Sequence, residues 1–312
     1  MVTTVTLNPS LDEWVHLPRL RLGALHRTAR FLRYPGGKGV NVSRVLHELG
    51  QRTLAVALAG GDDGKILREL LHQRGIAHRF VVVGGSTRNN YQIQTDQPRA
   101  VTQINCAGPR VASAALPRLE RLLAQSCHRN ACVVLSGSLP PGLPATTYQR
   151  LITRLMRCGV RAVLDASGAA LRFGVAAKPW LIKPNRQEAE ELLGRRLHRI
   201  PGDAASAATR LAASTSAVVI VSLGSDGAVL AAPSSAQVLW ATSPAVPVRS
   251  TVGAGDSLVA GFLVGWDRTK SLREALRLGV ACGAASVMTP GTELCHARDV
   301  QRLKPQITIT VL

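Results

Sequence analysis

Short apolar runs and runs with helical spacing succeed one another along most of this chain, and that order constrains the fold more than any other feature. Strand-like runs are readable at Thr3–Leu7, Leu54–Leu58, Cys132–Leu135, Ala162–Leu164, Leu181–Lys183 and Val218–Ser222. Between them, Val40–Leu49, Ile66–Leu71, Ala114–Leu123, Tyr148–Met156 and Glu188–Leu193 repeat apolar residues near the helical period. Strand, helix, strand in succession predicts an α/β chain with a mostly parallel, doubly wound sheet covered on both faces. Two stretches break the rhythm. Glu13–Tyr34 and Arg88–Ile104 alternate like strands with no helix between. They predict a small separate sheet, a β-sheet lid built from segments about 13–34 and 88–104; peripheral strands without a gating role are the alternative. No linker or internal repeat divides the 312 residues, so 1–312 is expected to be a single domain. Ile307–Val311 either adds a strand or frays.

Charge narrows the partners. The formal net charge is +19, carried mostly by arginine, and no acidic residue occurs from Trp14 to His47. Such a field steers anions toward that region. Nucleic acid is one such anion, but aromatic residues make up only 4% of the chain, so a base-stacking surface is not indicated. No apolar run approaches the roughly 18 residues of a spanning helix, which argues against a membrane partner. Met1–Leu7 alternates like a strand rather than a signal peptide. The six cysteines are scattered without a C-x-x-C pair. Reduced thiols and a cytoplasmic location are therefore expected.

Four segments carry the chemistry, three of them glycine-bearing turns. Ser250–Ser257 puts Gly253, Ala254 and Gly255 ahead of the helix-like run Leu258–Leu263. A helix starting there aims unpaired N–H groups and its positive dipole end at the turn, and Asp256 adds a carboxylate able to take a proton from a hydroxyl. An ordinary capped helix start is the competing reading. Pro35–Asn41 holds three glycines, Lys38 for a phosphate and Asn41 for sugar hydroxyls. Lys183–Glu188 closes a short strand: Lys183 can reach a phosphate, and Asn185 with Glu188 can orient hydrated magnesium, or the same pair can form a capping box. Ser222–Gly227, with Gly224 inside it, is a turn that either lines a nucleotide site or only closes a hairpin. No G-x-x-x-x-G-K-[ST] loop is present.

Together these segments resemble the PfkB (ribokinase-like) carbohydrate kinases. Gly36-Gly37-Lys38-Gly39-Val40-Asn41 looks like their first signature and Thr251–Ser257 like their second. Thr6–Asp12, Ser136–Gly142, Lys183–Glu188 and Ser222–Gly227 stand between them in the family's order. The resemblance implies a ribokinase-like three-layer αβα fold and Asp256 as catalytic base. It implies sugar binding by Asp12, Gly37 and Asn41. MgATP would be held by Lys183, Asn185, Glu188, Ser222, Gly224 and Gly227, with Thr251, Gly253, Ala254 and Gly255 at the anion hole. Thr87-Arg88-Asn89-Asn90 is similar to the element that brings an arginine to a substrate phosphate in the phosphofructokinase branch, so Arg88, Lys38 and Asn90 are expected at that phosphate. Lys38 and Thr102–Asn105 look like 1-phosphofructokinases, which implies D-fructose 1-phosphate as substrate, Mg²⁺ with ATP, and a possible homodimer through the lid. Gly291–Cys295 looks more like the 6-phosphofructokinases, and tagatose-6-phosphate kinases share much of the pattern. The arginine density of the expected lid departs from the family and bears on whether lids can pack together. A non-catalytic nucleotide- or nucleic-acid-binding protein is the alternative of a different class.

Overall fold

The computed structural model describes residues 1–129 and 131–312. The chain opens with β1 (Val2–Thr6), β2 (Ser10–Leu17), β3 (Phe31–Gly36) and α1 (Lys38–Glu48). β4 (Thr53–Ala59), α2 (Gly61–Gln73), β5 (His78–Val82), β6 (Arg88–Asp96) and β7 (Arg99–Asn105) follow. Next come α3 (Ala115–Ser126), β8 (Cys132–Ser136), α4 (Thr147–Arg157), β9 (Arg161–Asp165) and α5 (Gly168–Ala176). β10 (Leu181–Ile182), α6 (Arg186–Leu193), α7 (Gly202–Thr215), β11 (Val218–Ser222), β12 (Ala228–Ala232) and β13 (Ser235–Ala241) continue it. The chain ends with α8 (Ala254–Thr269), α9 (Leu272–Ser286), α10 (Ala297–Leu303) and β14 (Ile309–Val311).

Ten strands form one sheet in the order β14-β13-β12-β11-β10-β9-β8-β1-β4-β5. From β11 to β5 every pairing is parallel. Both faces of these strands are apolar, as a sheet covered by helices requires. In β8, Val133 and Leu135 pack under α3, α4, α5 and α7, while Cys132 and Val134 face α1, α8, α9 and α10. The result is a three-layer αβα sandwich. A second, four-stranded sheet, ordered β3-β2-β6-β7, stands apart as the lid. Its central pair, β2 and β6, is parallel, and its outer pairs are antiparallel.

Every apolar run named from the sequence falls on a strand or helix of the expected type, but three details differ. Within Glu13–Tyr34 only the ends are strand; residues 18–30 are a loop. β12, β13 and β14 make one edge antiparallel, which strand–helix alternation did not predict. The cause is local. Gly227 takes φ +84° and its missing Cβ leaves room for the Ala241 carbonyl, so the chain reverses within a single 3₁₀ turn and no crossover helix intervenes. Finally, Ile309–Val311 does not fray but pairs with Leu239–Ala241. No helix among the described residues is long and apolar enough to cross a membrane.

Candidate active site

From β1 the sheet grows in two directions, through β4 to β5 and through β8 to β11. Parallel strands that diverge in this way leave a crevice beyond their carboxyl ends. A cleft of about 1200 Å³ opens there. It is lined by Gly37, Lys38 and Asn41 at the head of α1, and by Asp12, Arg88 and Asn90 of the lid. Lys183 and Asn185 follow β10, and Ser222, Gly224 and Gly227 turn from β11 into β12. Thr251, Gly253, Ala254, Gly255 and Asp256 close it at the head of α8. Glu188 does not line the cleft. Its Oε2 accepts the Asn185 amide at 2.8 Å, and Asn185 Oδ1 accepts the Glu188 amide at 2.8 Å. Here the capping-box alternative holds, because the two groups satisfy each other.

The head of α8 is built for an anion. Gly253, the N-cap, is left-handed at φ +80°, and any side chain there would strike Leu294. Helix geometry leaves the Gly255 and Asp256 amides without intrahelical partners. A Cβ on Gly255 would lie 3.2 Å from Lys183 Nζ, so the ammonium lies against this backbone. Asp256 itself is buried and accepts a hydrogen bond from Asn41 Nδ2 at 2.8 Å. Burial, and after it the nearby Asp165 carboxylate, pushes the Asp256 carboxyl up to about 6, against the opposing pull of Lys38, Asn41 and Lys183. A carboxylate that is ionised at neutral pH yet near its titration point is suited to accepting a proton. Asn41 was expected to serve the sugar with both ends of its amide. Its Nδ2 is instead turned to Asp256, and its Oδ1 accepts from Arg44 Nη1 at 3.3 Å.

Asp165, at the end of β9, is the residue that sequence reasoning missed. It is buried, and its Oδ1 takes both Lys38 Nζ at 3.1 Å and Lys183 Nζ at 3.4 Å, while Oδ2 has no partner. Burial is the largest single influence on Asp165, but the two ammonium groups together outweigh it and hold the carboxyl below its usual range. Lys38, expected at the substrate phosphate, thus leans on Asp165, which together with two other carboxylates holds it firmly cationic despite burial. No glycine-rich turn marks Asp165 in the sequence; only its position at a strand end could have drawn attention to it.

At the lid, Asp12 fits against Gly36, where a Cβ would overlap its carboxylate. Burial raises the Asp12 carboxyl, and hydrogen bonds from Ser10 and Asn90, with the charges of Arg44 and Arg88, oppose that rise. Arg88 donates through Nη1 to the Cys106 carbonyl at 2.8 Å and through Nη2 to the Asn8 carbonyl at 3.0 Å, while its buried Nε has no partner. Neutral carbonyls fix the guanidinium without cancelling its charge. At the other end of the cleft, Val246, Val280, Gly283, Ala284 and Val287 form an apolar slot beside the Ser222–Gly227 turn. Sequence reading missed this slot too, because α9 and the loop before α8 meet only in the fold.

The chain matches the pfkB family carbohydrate kinase profile over residues 5–298. It is 37% identical over 313 residues to the 1-phosphofructokinase of Bacillus subtilis, covering all of both chains. It is 35% identical over 301 residues to ATP-dependent 6-phosphofructokinase isozyme 2 of Mycobacterium tuberculosis, covering 96% of this chain and 88% of the relative. Phosphofructokinase-2 from Escherichia coli, solved in complex with substrates and products, superposes with a TM-score of 0.92 at 32% identity over 98% of each chain. The same enzyme is also known in a tetrameric inhibited form. The match along nearly the full length, and relatives alike over the whole chain, show that the chain belongs to the PfkB family of carbohydrate kinases, which use ATP to phosphorylate sugars.

Proposed function

We propose that the protein transfers the γ-phosphoryl group of ATP to the free primary hydroxyl of D-fructose 1-phosphate, giving fructose 1,6-bisphosphate and ADP. The observation that carries this reading is Asp256, a buried acid at the mouth of α8, in one cleft with Asp12 and Arg88. Arg88 would hold the phosphate already on the sugar with charge-assisted hydrogen bonds. Asp12 would accept from a ring hydroxyl, with Asn90 fixing its carboxylate through a 3.2 Å hydrogen bond. The base of ATP would enter the Val246–Val280–Val287 slot, and its phosphates would meet Lys183 and the amides of Gly255 and Asp256. As the sugar oxygen attacks phosphorus in line, Asp256 takes its proton and ADP leaves.

Among the described residues, no group of three or more His, Cys, Asp or Glu side chains could hold a metal ion. Magnesium would arrive on the nucleotide phosphates and be reached through water by Glu188 and Asn185, whose oxygens are the donor type it takes. Bound there, the ion would supply charge neutralisation on the phosphates.

A homodimer through the lid is part of the same reading. Val15, Phe31, Ile93, Tyr91 and Ile104 are cross-strand neighbours on one face, and Phe31, Tyr91 and Ile104 are exposed. An uncovered apolar face of this kind calls for a partner. Arg19, Arg21, Arg27 and Arg30 sit in the 18–30 loop rather than on the strands, and Arg33 pairs with Glu13 at 2.7 Å. Arg33 shares the face with the strip and lays its guanidinium over the Phe31 ring at 5.7 Å, so one arginine borders the apolar residues.

The test is ADP release with fructose 1-phosphate, fructose 6-phosphate, tagatose 6-phosphate, fructose and ribose. The highest kcat/KM is expected for fructose 1-phosphate. A higher value for fructose 6-phosphate would transfer the assignment to the reading that the mycobacterial relative supports. No sugar-dependent release with any of them would remove the kinase reaction itself.

A further inference from the structure

Arg44, in the second turn of α1, is buried, and no carboxylate lies within ion-pair distance of it among the described residues. Its three hydrogen bonds all go to neutral oxygens: Nη1 to the Pro35 carbonyl at 3.2 Å and to Asn41 Oδ1 at 3.3 Å, and Nη2 to the Glu293 carbonyl at 3.3 Å. The guanidinium lies over the Tyr34 ring at 5.6 Å. Burying a cation without a direct counter-ion is unfavourable, and an apolar residue of similar volume would fill the space at less cost. A charge kept there calls for a reason beyond packing.

The reason lies in what a guanidinium can and cannot do. It donates only, whereas an asparagine amide has a donating and an accepting end of nearly the same shape. With Arg44 on Oδ1, the Asn41 amide has one favourable orientation, and that orientation aims Nδ2 at Asp256 Oδ2, 2.8 Å away. Turned over, Nδ2 would face the guanidinium and Oδ1 would face the carboxylate, and both contacts would repel. The same side chain ties Pro35, just before the Gly36–Gly37 turn, to Glu293, whose neighbour Leu294 packs on Gly253 at the head of α8. Arg44 thus touches neither the cleft nor Asp256, yet fixes what Asp256 sees.

We propose that Arg44 is a positioning residue for Asp256, acting through Asn41 to hold the general base ionised and correctly aimed. This rests on Asp256 being the base. Asp256 faces Asn41 and Lys38 from α1, Asp165 from β9 and Lys183 beyond β10. Arg44 faces Asp12 from β2, Tyr34 from β3, Arg74 at the end of α2, and Glu293. None of these other groups can replace the Asn41 amide, because none hydrogen-bonds to Asp256.

The experiment is the pH dependence of kcat with saturating MgATP and fructose 1-phosphate, for wild type, Arg44→Met, Asn41→Ala and the double variant. Losing the oriented amide removes a hydrogen bond that favours the carboxylate, so the acid limb of the profile should move up by about one to two pH units. Arg44→Met and Asn41→Ala should each produce this shift, and the double variant should shift no further than Asn41→Ala alone. Arg44→Lys keeps the charge, but its single ammonium lacks the planar fork that reaches all three oxygens. It should shift the limb as well, and it serves where Arg44→Met does not fold, as judged by MgATP binding. A lower kcat with an unmoved acid limb, or additive shifts in the double variant, would overturn the proposal by reducing Arg44 to a packing role. Asp256→Asn separates the two layers. If that variant kept wild-type turnover, the base assignment would fail; if it lost turnover while the Arg44 limb stayed put, only the positioning role would fail.

Discussion

Replacing Asp256 by asparagine should inactivate the protein and at the same time make it harder to melt. The wild-type carboxyl is displaced from an ordinary 3.8 to about 6, chiefly by burial. Above pH 6 the folded chain must therefore hold a charge that the unfolded chain solvates more easily, a penalty of about 3 kcal/mol. Between about pH 4 and pH 6 the native state retains a proton that the unfolded state has released, so wild-type stability falls as pH rises through that window. Above it the penalty is constant. Asparagine is nearly isosteric, can still accept from Asn41 through Oδ1, and carries no charge to desolvate. For a chain of this length, with an unfolding entropy of about 2.1 cal/mol/K per residue, about 3 kcal/mol corresponds to a rise in Tm of about 4–5 °C. At pH 5 the gain should be roughly half that at pH 8. Thermal melts of both proteins from pH 5 to pH 8, with ADP release measured in parallel, give both readouts. Turnover should drop by at least about 10²-fold. A variant no more heat-resistant than wild type at pH 8, or one whose gain did not vary with pH, would refute the picture of a desolvated, ionised base.

Arg88→Ala should raise KM for fructose 1-phosphate roughly 10- to 100-fold, the equivalent of one charge-assisted contact, and leave KM for MgATP nearly unchanged. Equal effects on both substrates would move Arg88 out of the sugar site. On the lid, Ile104 is 50% exposed at the edge of the apolar strip. Ile104→Lys should shift sedimentation velocity from dimer to monomer at micromolar concentration, and a wild type that is already monomeric there would end the lid-dimer reading.

The residues that were legible in the sequence are those whose backbone demands a glycine. Gly37, Gly227 and Gly253 adopt left-handed conformations that few other residues tolerate, so the turns they make stand out, and each of those turns reaches the cleft. Asp165 was silent because its importance depends on Lys38 and Lys183, which are 127 and 18 positions away and meet it only when β9 and β10 lie beside the head of α1. Asn41 was placed in the cleft, but its hydrogen bonds to Asp256 and Arg44 were not legible, since both partners reach it only in the fold. Glu188 was left with two readings. The same spacing suits a water-held ion and a capping box, and the capping box is formed. The antiparallel edge escaped because a hairpin of small residues has no helical run to announce it.

Strand β2 begins at Ser10, beside the floor of the cleft, and ends at Leu17, where the basic loop departs. It is paired with β3 from Ser10 to Val15 and with β6 along its whole length, so its backbone is held from both sides. Asp12 lies on the face that lines the cleft, while Val15 stands on the opposite face, in the strip through which two copies would clasp. On the proposed reading, sugar grip and subunit association would share this one strand, and a substitution on either face of it should be felt on the other.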